Sequence, residues 1–176
     1  LKDDAKDFLD TWKLRQLVRK FSDFLEFPVV MDVEKEKDGK KETTEETLNS
    51  RKAIWLRNKS EVKPDEYAEF YKSLSHDTDA PAEVIHYKAE GKTEFRVLAF
   101  IPAKKPFMYD YEEPHAGLRL YVQRVLIMEK CEQVLPSYLR FVQGVVDSAD
   151  LPLNVSRELL QQNPLLDAIQ KSVVKN

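Results

Sequence analysis

The chain has 176 residues, 42% of them hydrophobic, with 28 Lys and Arg against 31 Asp and Glu for a net charge of -3. That apolar content suffices for the core of one domain or two small subdomains, and the near balance of charge excludes a strong pull toward nucleic acid or a membrane surface. No apolar run approaches the roughly 18 residues of a membrane span, and a single cysteine, Cys131, excludes an internal disulfide and a cysteine-rich zinc site and fits a reducing compartment.

The chain opens at Leu1 rather than Met, with no signal-peptide pattern, and is read as a piece of a longer protein. Residues 8–27, FLDTWKLRQLVRKFSDFLEF, place Leu14, Leu17, Val18, Phe21, Phe24 and Leu25 at helical spacing, an apolar stripe for a core. Lys13, Arg15, Arg19 and Lys20 lie mostly off that stripe, on a face expected to be solvated. Pro28 ends the helix by pushing Phe27 out of the helical region, and PVVMDV then reads as a short strand. Residues 34–50 are charged and lack aromatics. Their Asp38-Gly39 dipeptide suits a hairpin, but the flanks do not alternate, so a mobile hairpin tip or disordered loop is expected.

Residues 64–75 begin with a proline suited to the first helical position, and Tyr67, Phe70, Tyr71 and Leu74 follow at helical spacing. Strands are expected over 84–90 and 94–101, flanking Gly91, and over 118–128, interrupted only by Arg124. Residues 139–147 make a further strand whose central Gly144 hints at a bulge or close packing. Helical patterns at 157–162 and 164–174 close the chain. The alternation of helices and strands predicts α/β or α+β layers, with helices covering a mixed sheet.

Chemistry is sparse. The four glycines, Gly39, Gly91, Gly117 and Gly144, belong to no phosphate-cradling loop. His76, Asp77 and Asp79 form either a metal cluster or a polar loop, and their spacing matches no ligand motif, so no metal site is expected. Cys131 is either a nucleophile with a distant histidine or a buried thiol. Residues 106–111, PFMYDY, crowd Phe107, Met108, Tyr109 and Tyr111 into a loop that either packs on the sheet edge or presents a sticky surface to another protein. Residues 150–163 read DLPLNVSRELLQQN, with Ser156 as a helix cap. Arg157 then stands at the positive end of the helix dipole, the unfavourable end for a cation. It is either an exposed, slightly misplaced charge or one half of an anion site built with the helix-start amides.

Three stretches carry a resemblance: FLDTWKLRQLVRKFSDFLEFPV, IWLRNKSEVKPDEYAEFYKSLSHD, and the run from LRLYVQRV through DLPLNVSRELLQQN. Together they resemble the middle domain of the heat shock protein 90 chaperones, nearest the bacterial HtpG type on LYVQRV. Only residues 34–50 fall outside it, so residues 1–176 read as one chaperone middle domain. The resemblance implies a layered α/β domain with a part like ribosomal protein S5 domain 2. It also implies a cytoplasmic, homodimeric, ATP-driven chaperone active in protein folding and the stress response. An N-terminal domain would hold ATP and Mg, a C-terminal domain would dimerise, and this fragment alone would bind neither ATP nor metal. By motif position Arg157 is the arginine sent to the ATP γ-phosphate, Gln161 supports it one turn on, and Asn154 shares the loop. Phe107, Met108 and Tyr109 match a projection that touches client proteins. Two departures bear on this: Thr78 stands where many members expose a tryptophan linked to clients, and Leu126 where eukaryotic members often have Phe at the contact with the nucleotide domain. The alternative is a non-catalytic protein-interaction module in which Arg157 only organises a loop; a stand-alone phosphotransferase lacks both a phosphate loop and a metal-ligand set.

Overall fold

The computed structural model describes residues 2–37, 40–91, 93–105, 117–151 and 163–176. The chain divides into two compact units, Leu1–Ala53 and Ile54–Asn176.

In the first unit a 3-10 segment, Asp3–Leu9, leads into α1 (Thr11–Phe21). Asp10 caps α1 by accepting the Trp12 N–H at 2.9 Å. The helix stops at Phe21, short of the expected Phe27, because Asp23 is committed elsewhere. Its carboxylate accepts the Ser50 N–H at 2.9 Å and its carbonyl accepts the Arg51 N–H at 2.8 Å. Buried Asn49 completes the corner: Oδ1 accepts the Val29 N–H, and Nδ2 donates to the carbonyls of Leu25 and Phe27. The stripe residues Leu14, Leu17, Val18 and Phe21 are half-buried.

Strands β1 (Val30–Lys37) and β2 (Lys40–Thr47) then pair antiparallel, from Val30↔Thr47 to Lys37↔Lys40. Regular pairing therefore runs into the stretch read as a hairpin tip or disordered loop. The pairing has a physical basis: backbone ladder bonds need no apolar alternation, and β-branched Thr43, Thr44 and Thr47 favour the extended chain. Asp38 and Gly39 lie outside the described residues. Arg15 leaves the expected solvated face: its guanidinium forks onto Glu46, with Nη2 to Oε2 at 2.8 Å and Nε to Oε1 at 3.3 Å, tying α1 to β2.

The second unit is a five-stranded mixed sheet in the order β3-β4-β7-β5-β6. The strands are β3 (Pro81–Ala89), β4 (Phe95–Pro102), β5 (Leu118–Val122), β6 (Val125–Cys131) and β7 (Gln143–Ser148). Neighbours are antiparallel except β5 and β7, which run parallel. Interior strand β4 is apolar almost throughout because both its faces are covered.

On one face lie α2 (Pro64–Ser75) and Trp55, the latter in a short turn, Ile54–Leu56. Fully buried Trp55 sets its ring 5.0 Å from Tyr121 and 5.8 Å from Phe70, and Phe100 meets Tyr71 at 5.4 Å. On the other face α3 (Pro164–Lys175) buries Leu166, Ile169 and Val173 in a cluster with Phe95, Val97, Leu120 and Val146. Each such side chain contributes about 1.5–3 kcal/mol when fully buried. The expected class, helices packed on a mixed sheet, is the observed one.

The stretch 118–128 is two strands, not one. Gln123 and Arg124 take φ of 50° and 67°, both left-handed, and close a two-residue hairpin turn. Leu126 pairs with Tyr121, whereas a register shift brings Met128 opposite Leu120. The shift returns Met128 to the face of Leu118, Leu120 and Val122, whereas Leu126 shares the opposite face with Tyr121. At Gly144 the close-packing reading holds: a Cβ there would lie 2.3 Å from the Leu98 carbonyl oxygen and 2.7 Å from the Ala99 Cα.

Candidate functional site

β7 runs down the middle of the sheet and ends one residue after Asp147, the one charged side chain of the strand. Asp147 is only 7% exposed. It accepts the Trp55 indole N–H at 2.9 Å with one oxygen and the Arg124 backbone N–H at 3.3 Å with the other. Burying a carboxylate is costly unless donors meet it, and here two elements supply them. The same bonds secure the turn at Gln123 and Arg124, whose left-handed backbone lacks the Asn-Gly dipeptide that usually favours it.

Ser148 and Asp150 fasten the chain as it leaves β7. The buried Ser148 hydroxyl donates to the Glu94 carbonyl at 3.2 Å and accepts the Asp150 N–H at 3.3 Å. Asp150 accepts the Glu94 N–H at 2.7 Å. Leu151 then drops into the core. On the far side, Asn163 caps α3 by accepting the Leu165 N–H at 3.0 Å, with Pro164 at the first helical position. Between these two fixed points run residues 152–162. Asn154, Arg157 and Gln161 fall there and lie outside the described residues, as does the expected helix over 157–162.

Phe107, Met108 and Tyr109 lie outside the described residues too, within 106–116. The chain on either side is placed. Lys104 pairs with Asp79 at 2.7 Å before it. After it Gly117 sits so close to the Cys131 backbone that a Cβ would meet the Cys131 nitrogen at 2.7 Å, and Leu118 is fully buried.

The other candidates resolve into structural parts. Asp77 accepts the Tyr71 hydroxyl at 3.0 Å and the Asp79 N–H at 3.2 Å; the latter bond leads in holding its carboxyl below the usual range. His76 is the C-cap of α2, at φ 57°. Among the described residues no three His, Cys, Asp or Glu side chains come together as a metal group. Cys131 is fully buried, donates to the Gln133 Oε1 at 3.4 Å, and burial pushes its thiol up to about 11. At neutral pH it is a thiol, which fits the buried-residue reading and not the nucleophile. Leu126 is buried in its unit, so an apolar dock at that position is not an exposed one.

Sequence reasoning passed over Asp147 and His86. For Asp147 a signal was present: one charge in GVVDS, a run otherwise suited to a buried strand. His86 Nδ1 lies 2.6 Å from the Tyr67 hydroxyl and its Nε2 lies 3.2 Å from the Trp55 carbonyl oxygen. Burial is the main cause that lowers its pKa. No local pattern announces that partnership, which joins α2, β3 and the Trp55 turn.

Comparison with known proteins adds the following. The family described as Hsp90 protein matches residues 34–176. The chain is 52% identical to chaperone protein HtpG of Geobacter sulfurreducens over 99% of its own length and 29% of that protein's. It is 50% identical to HtpG of Bdellovibrio bacteriovorus, over 97% of this chain and 26% of that one, and 48% identical to HtpG of Myxococcus xanthus, over 99% and 27%. The chain thus spans less than a third of the length of these relatives. No helix among the described residues is long and apolar enough to cross a membrane.

Proposed function

This chain belongs to the Hsp90 protein family, and on that premise we propose that it is the middle segment of a cytoplasmic, homodimeric, ATP-dependent chaperone, supplying Arg157 to the γ-phosphate of ATP held by the N-terminal domain. The observation that carries the reading is the 52% identity with a bacterial HtpG chaperone across 99% of the chain, a span that takes in the DLPLNVSRELLQQN block. In this reading ATP and its Mg²⁺ are held by the N-terminal domain, and this chain meets the substrate from outside.

A guanidinium arriving from another domain acts chiefly on the charge that develops at the γ-phosphate, which is transition-state and not ground-state stabilisation. Its planar fork fits phosphate oxygens two at a time, a geometry an ammonium lacks. In this reading Gln161, four residues on from Arg157, supports the same site, and Asn154 belongs to the same motif. Phe107, Met108 and Tyr109 form the client-binding surface, carried between the chain fixed at Lys104 and the chain fixed at Leu118.

ATP hydrolysis by the full-length protein tests the catalytic part. Arg157→Lys is expected to hydrolyse ATP nearly as slowly as Arg157→Ala, because charge without the fork is not enough. Gln161→Ala and Asn154→Ala are expected to be milder. Wild-type turnover in Arg157→Lys would show that the fork is not required. Wild-type turnover in both Arg157 variants would leave the non-catalytic interaction module standing.

A further inference from the structure

β3 borders the five-stranded sheet: within the second unit it pairs with β4 and has no strand on its other side. The direction of its backbone groups follows from β4. The Glu94 N–H and carbonyl both meet side chains of the segment leaving β7, and the Leu98 carbonyl points at Gly144 of β7. A strand residue sends its N–H and C=O to one side, and its neighbours send theirs to the other. Val97 and Ala99 therefore bond to β3, where their partners are Tyr87 and Ile85. Val84, His86 and Lys88 turn their backbone groups outward, and among the described residues no backbone bond takes them up.

Sheet edges are commonly blunted by charge, proline or a bulge. β3 carries such devices only at its ends, as Pro81 with the register shift beside it and as Lys88. Lys88 is itself paired with Glu90 at 2.7 Å. Between them the one polar side chain is His86, whose ring is turned onto Trp55 and Tyr67. The two faces of the edge differ in chemistry. Toward α3, Ile85, Tyr87 and Ala89 are only partly buried, which leaves apolar surface for a further strand to cover. Toward α2, the charges of Lys59 and Arg96 reach His86, and among the described residues neither is paired with a carboxylate. Asp147, opposite Arg96 in register, spends its two oxygens on Trp55 and Arg124.

We infer that the outer edge of β3 docks an extended segment of a client polypeptide as an added strand, apolar toward α3 and acidic toward α2. Main-chain bonds to Val84, His86 and Lys88 hold the segment, and the two faces select its alternation. A second copy of this chain is a poor occupant. Antiparallel pairing of β3 with itself would bring Lys59 and Arg96 of both copies to one face. The inference deepens the client-binding part of the function proposed above and needs neither Arg157 nor residues 107–109.

The test uses the full-length protein and a labelled peptide alternating valine and glutamate, with binding read by fluorescence anisotropy. Residues directly opposite in a ladder share a face, so the glutamates lie opposite Val84, His86 and Lys88, and their N–H groups meet β3. N-methylation of the glutamates is expected to weaken binding at least about 10-fold, the loss of several hydrogen bonds. N-methylation of the valines is expected to leave it nearly unchanged. A valine–lysine peptide is expected to bind more weakly, and Lys59→Glu to weaken the valine–glutamate peptide. Val84→Pro, which removes an outward N–H at a position where an edge strand tolerates proline, is expected to weaken binding with melting nearly unchanged. Equal binding of the two methylated peptides by wild-type protein overturns the inference, whatever the variants do. Binding that falls as protein concentration rises would show the edge taken by a second copy and overturns it too. Capture of a reduced, carboxymethylated polypeptide is read on the same sample. Capture without peptide binding overturns the docking edge alone, and capture of neither removes the client-binding reading on which it rests.

Discussion

Two polar side chains, buried Asp147 and half-buried His86, hold the second unit together at points where an apolar residue would not serve. Asp147 meets the Trp55 indole and the Arg124 amide. Asp147→Ala is expected to cost about 2–3 kcal/mol, since it leaves the buried Trp55 N–H without an acceptor; urea unfolding measures it. Asp147→Asn, which keeps one acceptor oxygen, is expected to cost less. His86 is neutral in its resting arrangement, with Nε2–H donating to the Trp55 carbonyl and Nδ1 accepting from Tyr67. Burial disfavours the imidazolium, and the Lys59 and Arg96 charges add to this. The folded state thus binds the proton less readily than the unfolded chain, whose histidine titrates near 6.5. The stabilisation is full above that value and is lost as pH falls through the lower, folded pKa. Melting scans between pH 7.5 and 5 are expected to fall more steeply for wild type than for His86→Gln. Parallel profiles would contradict this account of the histidine.

At the scale of elements, the sheet depends on one glycine and one unusual turn. Gly144→Ala is expected to cost about 3 kcal/mol, because the new methyl would collide with the β4 backbone and not with a side chain able to swing away. Denaturant unfolding giving a change near zero would mean that β4 and β7 can separate locally. α2 and the β3–β4 pair were legible in the sequence, since Pro64, the Tyr67–Leu74 spacing and Gly91 are local signals. The β5–β6 turn was not. Gln123 and Arg124 carry no turn chemistry of their own, and their left-handed backbone is supported by Asp147, more than twenty positions away. The pairing of β1 with β2 was partly hidden for a related reason. Charged and threonine-rich strands form ladder bonds without displaying an apolar period.

At the scale of the whole molecule, the composition already excluded a membrane span and a disulfide scaffold, and the DLPLNVSRELLQQN block pointed to one chaperone family. What sequence could not supply was the anchoring at the start of that block, because the bonds from Ser148 and Asp150 to Glu94 join residues far apart in the chain. Phe107→Ser, Met108→Ser and Tyr109→Ser together are expected to weaken capture of an unfolded polypeptide by the full-length protein and to leave melting nearly unchanged. Each side chain is worth about 1.5–3 kcal/mol if a client buries it fully. A sharp fall in melting with unchanged capture would place these side chains in the core. The proposed role of Arg157, acting on the γ-phosphate as the reaction proceeds, is open to a direct test. The direct measurement is kcat at saturating ATP for full-length Arg157→Ala, with ATP affinity taken on the same sample. Arginines of this kind contribute about 10³–10⁵-fold elsewhere. Roughly 10- to 100-fold is expected here, because conformational steps limit turnover in many enzymes and mask part of the chemical step. The account predicts that fall in kcat with affinity almost unchanged; turnover equal to wild type would contradict it.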